Sequence, residues 1–183
     1  CWIVPYRVNA DQHLVGWSPS SYRLWLDATG HLNLTWVKAT VTTTKTSTFT
    51  FTAKKRYHLG VTLSDTTVTF YIYDYAADST TTETFTGTGF TGRDAPAVNE
   101  AFDYFNAYSI SAFYQGQLWN PRIWNTTLTA DDVESRRFRR LSDVEVALSS
   151  LKHYVDFSDG TGAAVTDSSP SPANGTITDT CEW

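Results

Sequence analysis

Trp25, Tyr71, Tyr73, Tyr75 and Trp119 fall where the alternation of the chain turns them away from a core. A flat aromatic ring stacks on the apolar face of a pyranose while neighbouring polar groups bond its hydroxyls. Arg23 and Asn120 supply such groups beside Trp25 and Trp119. The chemistry these residues predict is reversible carbohydrate binding. The same aromatics also suit packing beneath a long loop, and residues 76–105, rich in Thr, Gly and Asp, read as a long surface excursion of that kind. Trp36 and Trp124 are assigned to the core. Bond-breaking chemistry finds no support. Glycoside hydrolysis needs two carboxylates flanking the scissile bond, and the nearest run of alternating acids, Asp143-Val144-Glu145, lies in a connector. Nucleophilic catalysis needs a Ser or Cys beside an oriented His. His13, His31, His58 and His153 stand in no recognisable companion motif. The chain is expected not to be an enzyme.

The elements that would position these side chains are strands. Tyr22-Arg23-Leu24-Trp25-Leu26-Asp27 puts Leu24 and Leu26 on one face and Arg23 and Trp25 on the other. Ala28-Thr29-Gly30 turns the chain, and His31 to Trp36 alternates again, which makes a hairpin with Asn33 facing outward. Residues 40–52 form a Thr-rich ribbon. Tyr57 to Leu63 and Val68 to Tyr73 are the cleanest strands, with Val68, Phe70 and Ile72 inward. Strands are also expected at Tyr108 to Tyr114, at Gly116 to Trp124, at Lys152 to Phe157 and near Gly175 to Thr178. Thr129 opens the single predicted helix, with Asp132 three residues on and Arg136, Arg137, Arg139 and Arg140 near its far end, which read as solvated cations favoured by the helix dipole in preference to a ligand patch.

Composition agrees. The 183 residues hold seven Trp, ten Tyr and ten Phe among abundant Thr, side chains that suit a pleated, half-buried surface. The fold class is all-β, an antiparallel two-sheet sandwich with one short helix late in the chain. A net charge of -5 makes nucleic acid and anionic membrane poor partners, since both reward a basic face. No apolar run approaches the ~20 residues that span a bilayer. With no Met and a start at Cys1, the chain reads as a processed or excised piece.

Cys1 and Cys181 lie at opposite ends. A bridge between them would close nearly the whole chain, a gain on the order of 4–5 kcal/mol in the chain-entropy model. The alternatives are two thiols or links to other chains. Asn33-Leu34-Thr35, Asn125-Thr126-Thr127 and Asn174-Gly175-Thr176 are sequons and permit N-glycosylation.

Tyr57-His58-Leu59-Gly60-Val61-Thr62 followed by Val68-Thr69-Phe70-Tyr71-Ile72 resembles the centre of laminin-G-like, concanavalin A-like domains. Gly116-Gln117-Leu118-Trp119-Asn120-Pro121-Arg122-Ile123-Trp124-Asn125, with Leu128 to Val133, resembles their ending, and Tyr22 to Gly30 resembles one of their hairpins. The match covers roughly residues 2–138 and implies a jelly roll. Three departures stand out: Trp119 replaces a usual Asp, the turn at Tyr73-Asp74-Tyr75 lacks its Gly, and residues 76–105 are long. Residues 154–177 resemble a segment that opens such a domain, yet here it comes last. Residues 1–140 are then the body, and 141–183 either fold back to complete the same sandwich, as a circular permutation, or open a following repeat. The resemblance also implies structural calcium, for which Asp156, Asp159 and Asp167 are the candidate ligands.

The function expected is a non-catalytic recognition module, extracellular or on a cell or virion surface, that binds carbohydrate or glycoprotein. The alternative is a structural subunit of a surface fibre, filament or virion, whose tail strand pairs with like subunits.

Overall fold

The computed structural model describes residues 1–17, 22–38, 41–87, 104–105, 114–159, 164–172 and 174–176. The strands are β1 (Trp2–Pro5), β2 (Gln12–Trp17), β3 (Tyr22–Leu26), β4 (His31–Lys38), β5 (Val41–Thr50), β6 (Tyr57–Leu63), β7 (Thr67–Asp74), β8 (Ser79–Thr86), β9 (Tyr104–Phe105), β10 (Gly116–Trp119), β11 (Arg122–Trp124), β12 (Leu151–Tyr154), β13 (Ala164–Val165) and β14 (Gly175–Thr176). Two short helices, α1 (Ala130–Ser135) and α2 (Asp143–Val146), lie between β11 and β12. Among the described residues there are two five-stranded sheets, β10-β1-β6-β7-β8 and β5-β4-β3-β2-β9, and two two-stranded pairs, β11-β12 and β13-β14. The all-β expectation holds.

The chain divides into two compact units, Ile3–Gln117 and Cys1–Trp2 with Leu118–Trp183. In the first unit two sheets face each other. The cross-strand pairs Leu59↔Ile72, Val61↔Phe70 and Leu63↔Val68 line one inner face. Leu24↔Leu34, Leu26↔Leu32 and Tyr22↔Trp36 line the other. Trp36, Phe70, Ile72, Leu26 and Leu32 have no solvent exposure. Such alternation is what a sheet with one buried face requires.

The β3–β4 hairpin turns on Asp27. Its Oδ1 accepts the N–H groups of Thr29 and His31, and Gly30 takes the left-handed conformation at φ 81°. A Cβ at Gly30 would also lie a tight 3.1 Å from the Phe51 carbonyl oxygen, so the strain of a side chain in this conformation is joined by crowding. Gly116 is required for approach alone, since a Cβ there would meet the Val4 carbonyl oxygen and the Tyr114 ring.

Residues 79–86 correct the expected excursion over 76–105. They form β8, paired residue for residue with β7. The missing glycine of the preceding turn is replaced by Asp78, which takes the left-handed position at φ 48° and accepts a hydrogen bond from Tyr73 Oη at 2.6 Å. Thr supplies the strand propensity in β8, and Phe85 is its only large apolar residue, so the hydrophobic pattern is faint. Glu83 faces the other sheet. Its carboxylate accepts the N–H groups of Thr48 and Phe49 and the Thr48 hydroxyl, at 2.8–3.1 Å. Those N–H groups lie where the β4–β5 register shifts between His31 and Asn33, so Glu83 satisfies donors that the ladder leaves over. The expected strand at 108–114 lies mostly outside the described residues.

The expected single strand from Gly116 to Trp124 is broken in two. Asn120, at φ 48°, and Pro121 separate β10 from β11. Thr129 caps α1 with a reciprocal capping box to Asp132, as its sequence predicts. Residues 143–146 are not a plain connector. Ser142 and Glu145 form a second capping box around the single turn α2. Leu141, Leu151 and Tyr154 make a small core, with Trp124 and Val146 packed against it. The described tail docks on β12: Ser168 N–H donates to the Tyr154 carbonyl, and the Ser169 hydroxyl donates to that of Lys152. Its strands β13 and β14 pair with each other and enter neither five-stranded sheet.

Candidate functional site

The outward face of the β2–β5 sheet brings several polar and aromatic side chains together. On β3, Arg23 and Trp25 point away from the core, opposite Thr35 and Asn33 on β4. Both are half-buried. The Trp25 indole Nε1 donates to Thr35 Oγ1 at 3.1 Å, which fixes the ring plane. The Arg23 guanidinium lies 5.6 Å from the indole centroid, within cation–π range, and the His13 ring meets the indole edge-on at 6.1 Å. Thr35 Oγ1 lies 2.9 Å from Thr44 Oγ1 on β5, so hydroxyls continue the face across three strands. Burial disfavours the charged form of His13 and lowers its pKa. The Arg23 charge acts in the same sense and Asp11 opposes them.

Asn33 belongs to this face, which corrects its reading as an open glycan acceptor. It points away from the core, yet it is only 3% exposed. Its Nδ2 donates to Asp27 Oδ2 and to the His31 carbonyl, both at 3.0 Å, and its Oδ1 accepts from the Thr46 hydroxyl. Trp25 lies directly opposite on β3, and both of these bonds are made by the nitrogen that would carry the sugar. Asp27, at the end of the face, is held down to about 2. Burial pushes its carboxyl up, but hydrogen bonds from the Thr29 hydroxyl, the His31 N–H, the Asn33 amide and the Thr29 N–H outweigh it. Asn125 and Asn174 are both exposed.

The remaining predicted aromatics do not join Trp25. Tyr71 and Tyr73 lie on β7, on the outward face of the opposite sheet. Tyr73 is only 6% exposed, with its hydroxyl on Asp78. Tyr75, just past β7, is exposed beneath the Arg56 guanidinium at 4.9 Å. Trp119 belongs to the second unit. The sequence missed His13, Thr35 and Thr44 as members of the Trp25 face, because only the strand register makes them neighbours.

In the second unit Arg136 and Arg139 are engaged in ion pairs, while Arg140 remains exposed. Arg122 donates to the carbonyls of Arg136 and Arg139, at 2.8 and 2.5 Å, and so caps the chain beyond α1. Arg136 binds Asp132 and Glu145, and Arg139 binds Glu145 through two nitrogens. Hydrogen bonding from Arg139 first, then from Ser142 and Arg136, holds the Glu145 carboxyl far below the usual range against its desolvation. Asp167 is buried, with Oδ2 at 2.8 Å from His153 Nδ1 and Oδ1 accepting the N–H groups of Tyr154 and Ser169. Asp159 holds the N–H and hydroxyl of Thr166, and Asp156 pairs with Ser158 N–H and Arg140. Each acid is thus committed to a different partner, and the three do not fit one calcium site. Among the described residues no group of three or more His, Cys, Asp or Glu forms a metal cluster. Cys1 is partly buried and Cys181 lies outside the described residues.

Two facing antiparallel sheets with this strand pattern accord with one further finding: the family model for the concanavalin A-like lectin/glucanases superfamily matches residues 1–134. The chain belongs to that superfamily. No curated protein and no solved structure matches it. A concanavalin A-like, laminin-G-like domain is in general a binding module for carbohydrates or proteins, and often extracellular, although some members of the superfamily are glycosidases. Among the described residues of this concanavalin A-like chain no helix is long and apolar enough to cross a membrane.

Proposed function

We propose that the protein is a non-catalytic, extracellular carbohydrate-binding module that holds saccharide on the outward face of β2–β5. One arrangement carries the reading: the Trp25 indole, fixed by Thr35 and flanked by the Arg23 guanidinium and the His13 ring. A ring held in one orientation loses little entropy when a pyranose stacks on it, and the adjacent Arg23 cation and the exposed Thr44 hydroxyl suit the sugar's oxygens, whereas the buried Thr35 hydroxyl serves to hold the ring. A glycan array tests this. Binding to some saccharide, weakened at least tenfold by Trp25→Ala and unchanged by Tyr73→Ala on the opposite sheet, supports the reading; tenfold corresponds to about 1.4 kcal/mol. Silence across the array overturns it.

A second reading, a subunit of a surface fibre or virion, draws on β8. This eight-residue edge strand pairs with β7 without a bulge, and among the described residues it has no second neighbour. Regular edges are templates for another chain. Light scattering separates the two: polymers that grow with concentration favour the subunit, a monodisperse monomer the binding module.

A further inference from the structure

Of the chain's asparagines, Asn174 alone is followed by glycine. Asn174 and Gly175 are both exposed, at the start of β14 in the tail of the second unit. The Asn174 amide oxygen accepts the backbone N–H of Asp167 at 3.0 Å. That bond withdraws electron density from Cγ and would stabilise the oxyanion that forms if a nucleophile added there. The nearest nucleophile is the backbone nitrogen of Gly175, which carries no side chain to hinder its approach.

We propose that Asn174-Gly175 is a self-modifying site that converts the Asn174 amide to aspartate and isoaspartate in the native protein, with water as the only co-reactant. The Gly175 nitrogen loses its proton and bonds to Asn174 Cγ. The Cγ–Nδ2 bond breaks, and Nδ2 leaves as ammonia carrying that proton. Water then opens the succinimide at either carbonyl. Opening at one carbonyl gives aspartate, with the backbone as before. Opening at the other routes the main chain through Cβ and Cγ and adds one methylene ahead of Gly175. The tail is sensitive to that extra length, because Gly175 pairs with Val165 and Asp167 ties the same segment to β12 through His153 and Tyr154 N–H. Isoaspartate at 174 therefore loosens the tail. A glycan on Nδ2 would block the reaction by occupying the leaving group, so glycosylation at this sequon and deamidation exclude each other.

The full chain, produced in a host that adds no N-linked glycan, is incubated at mildly alkaline pH, and the peptide containing residue 174 is followed by mass spectrometry. We expect conversion at Asn174 ahead of Asn33 and Asn125, faster as pH rises, with loss of amide-exchange protection at Val165 and Asp167 as isoaspartate accumulates. Gly175→Ala slows conversion by roughly tenfold. This variant keeps the fold, since its Cβ would meet only Val165 Cβ at an ordinary 3.7 Å. An Asn174 amide that persists in the native protein while the urea-unfolded chain converts overturns the proposal, as does conversion at an equal rate in Gly175→Ala.

Discussion

In residues 3–117 the fully buried side chains are mostly apolar, with Trp36 and Leu32 of one sheet facing Phe70 and Ile72 of the other. Beyond residue 117, among the described residues, Leu141, Leu151 and Tyr154 form a small apolar cluster, and Val133 and Val155 are also buried. There Arg122 holds two backbone carbonyls, Glu145 holds two arginines and a helix start, and Asp167 holds two N–H groups and a histidine. A sheet satisfies its own backbone and can spend its side chains on packing. Short helices and loops leave backbone groups over, and charged side chains must reach them. The comparison teaches that apolar area specifies the first region, whereas the geometry of ionised groups specifies the second.

The largest test of that contrast is in the sandwich. Trp36→Ala removes a fully buried indole and should cost about 3–5 kcal/mol, read as a shift in denaturation midpoint that salt does not alter. Asp167→Ala should cost about 3 kcal/mol, because it strands buried donors, and the lost amide-exchange protection should be confined to β12 and the tail. Protection lost equally across β3 and β4 would erase the distinction between the regions.

Acid sharpens it further. Asp27, in the first region, and Asp132, in the second, are each lowered to about 2, and Glu145 is lowered below the carboxylate range. A carboxyl whose folded pKa lies below its unfolded value stabilises the fold above the unfolded value, and that contribution is lost as pH falls through the folded one. Stability should therefore hold down to about pH 4 and decline toward pH 2, first near α1 and α2, where two such carboxyls carry the arginines. Residue-resolved exchange between pH 5 and pH 2 checks the order. The smallest effect belongs to Arg140→Ala. Its side chain is 67% exposed and its ion pair with Asp156 spans 3.4 Å, so thermal melting should move by less than about 0.5 kcal/mol.

Much of the sandwich was legible from alternation alone. Leu24 and Leu26 against Arg23 and Trp25, or Val68, Phe70 and Ile72 against Tyr71 and Tyr73, announce both a strand and its two faces. β8 stayed hidden because its inward positions are Thr81, Glu83 and Phe85, and Glu83 is legible as an inward residue only once β5 lies opposite. The candidate site was half legible. Arg23 and Trp25 were named from their phase, but phase does not reveal that Tyr73 is covered, that Asn33 is buried, or that His13 and Thr35 flank the indole.

The sequence by itself determined that the chain makes antiparallel strands, where the Asp27–Gly30 turn falls, that Thr129 starts a helix, and which superfamily the chain joins. Each depends on residues within a turn or a strand of one another, or on a pattern carried along the chain. Tertiary structure alone decided which outward side chains meet solvent, which carboxylates are already bonded, and which residues share a face. Those depend on strand register and on groups tens of residues away, and side-chain burial is a property of the neighbours and not of the residue.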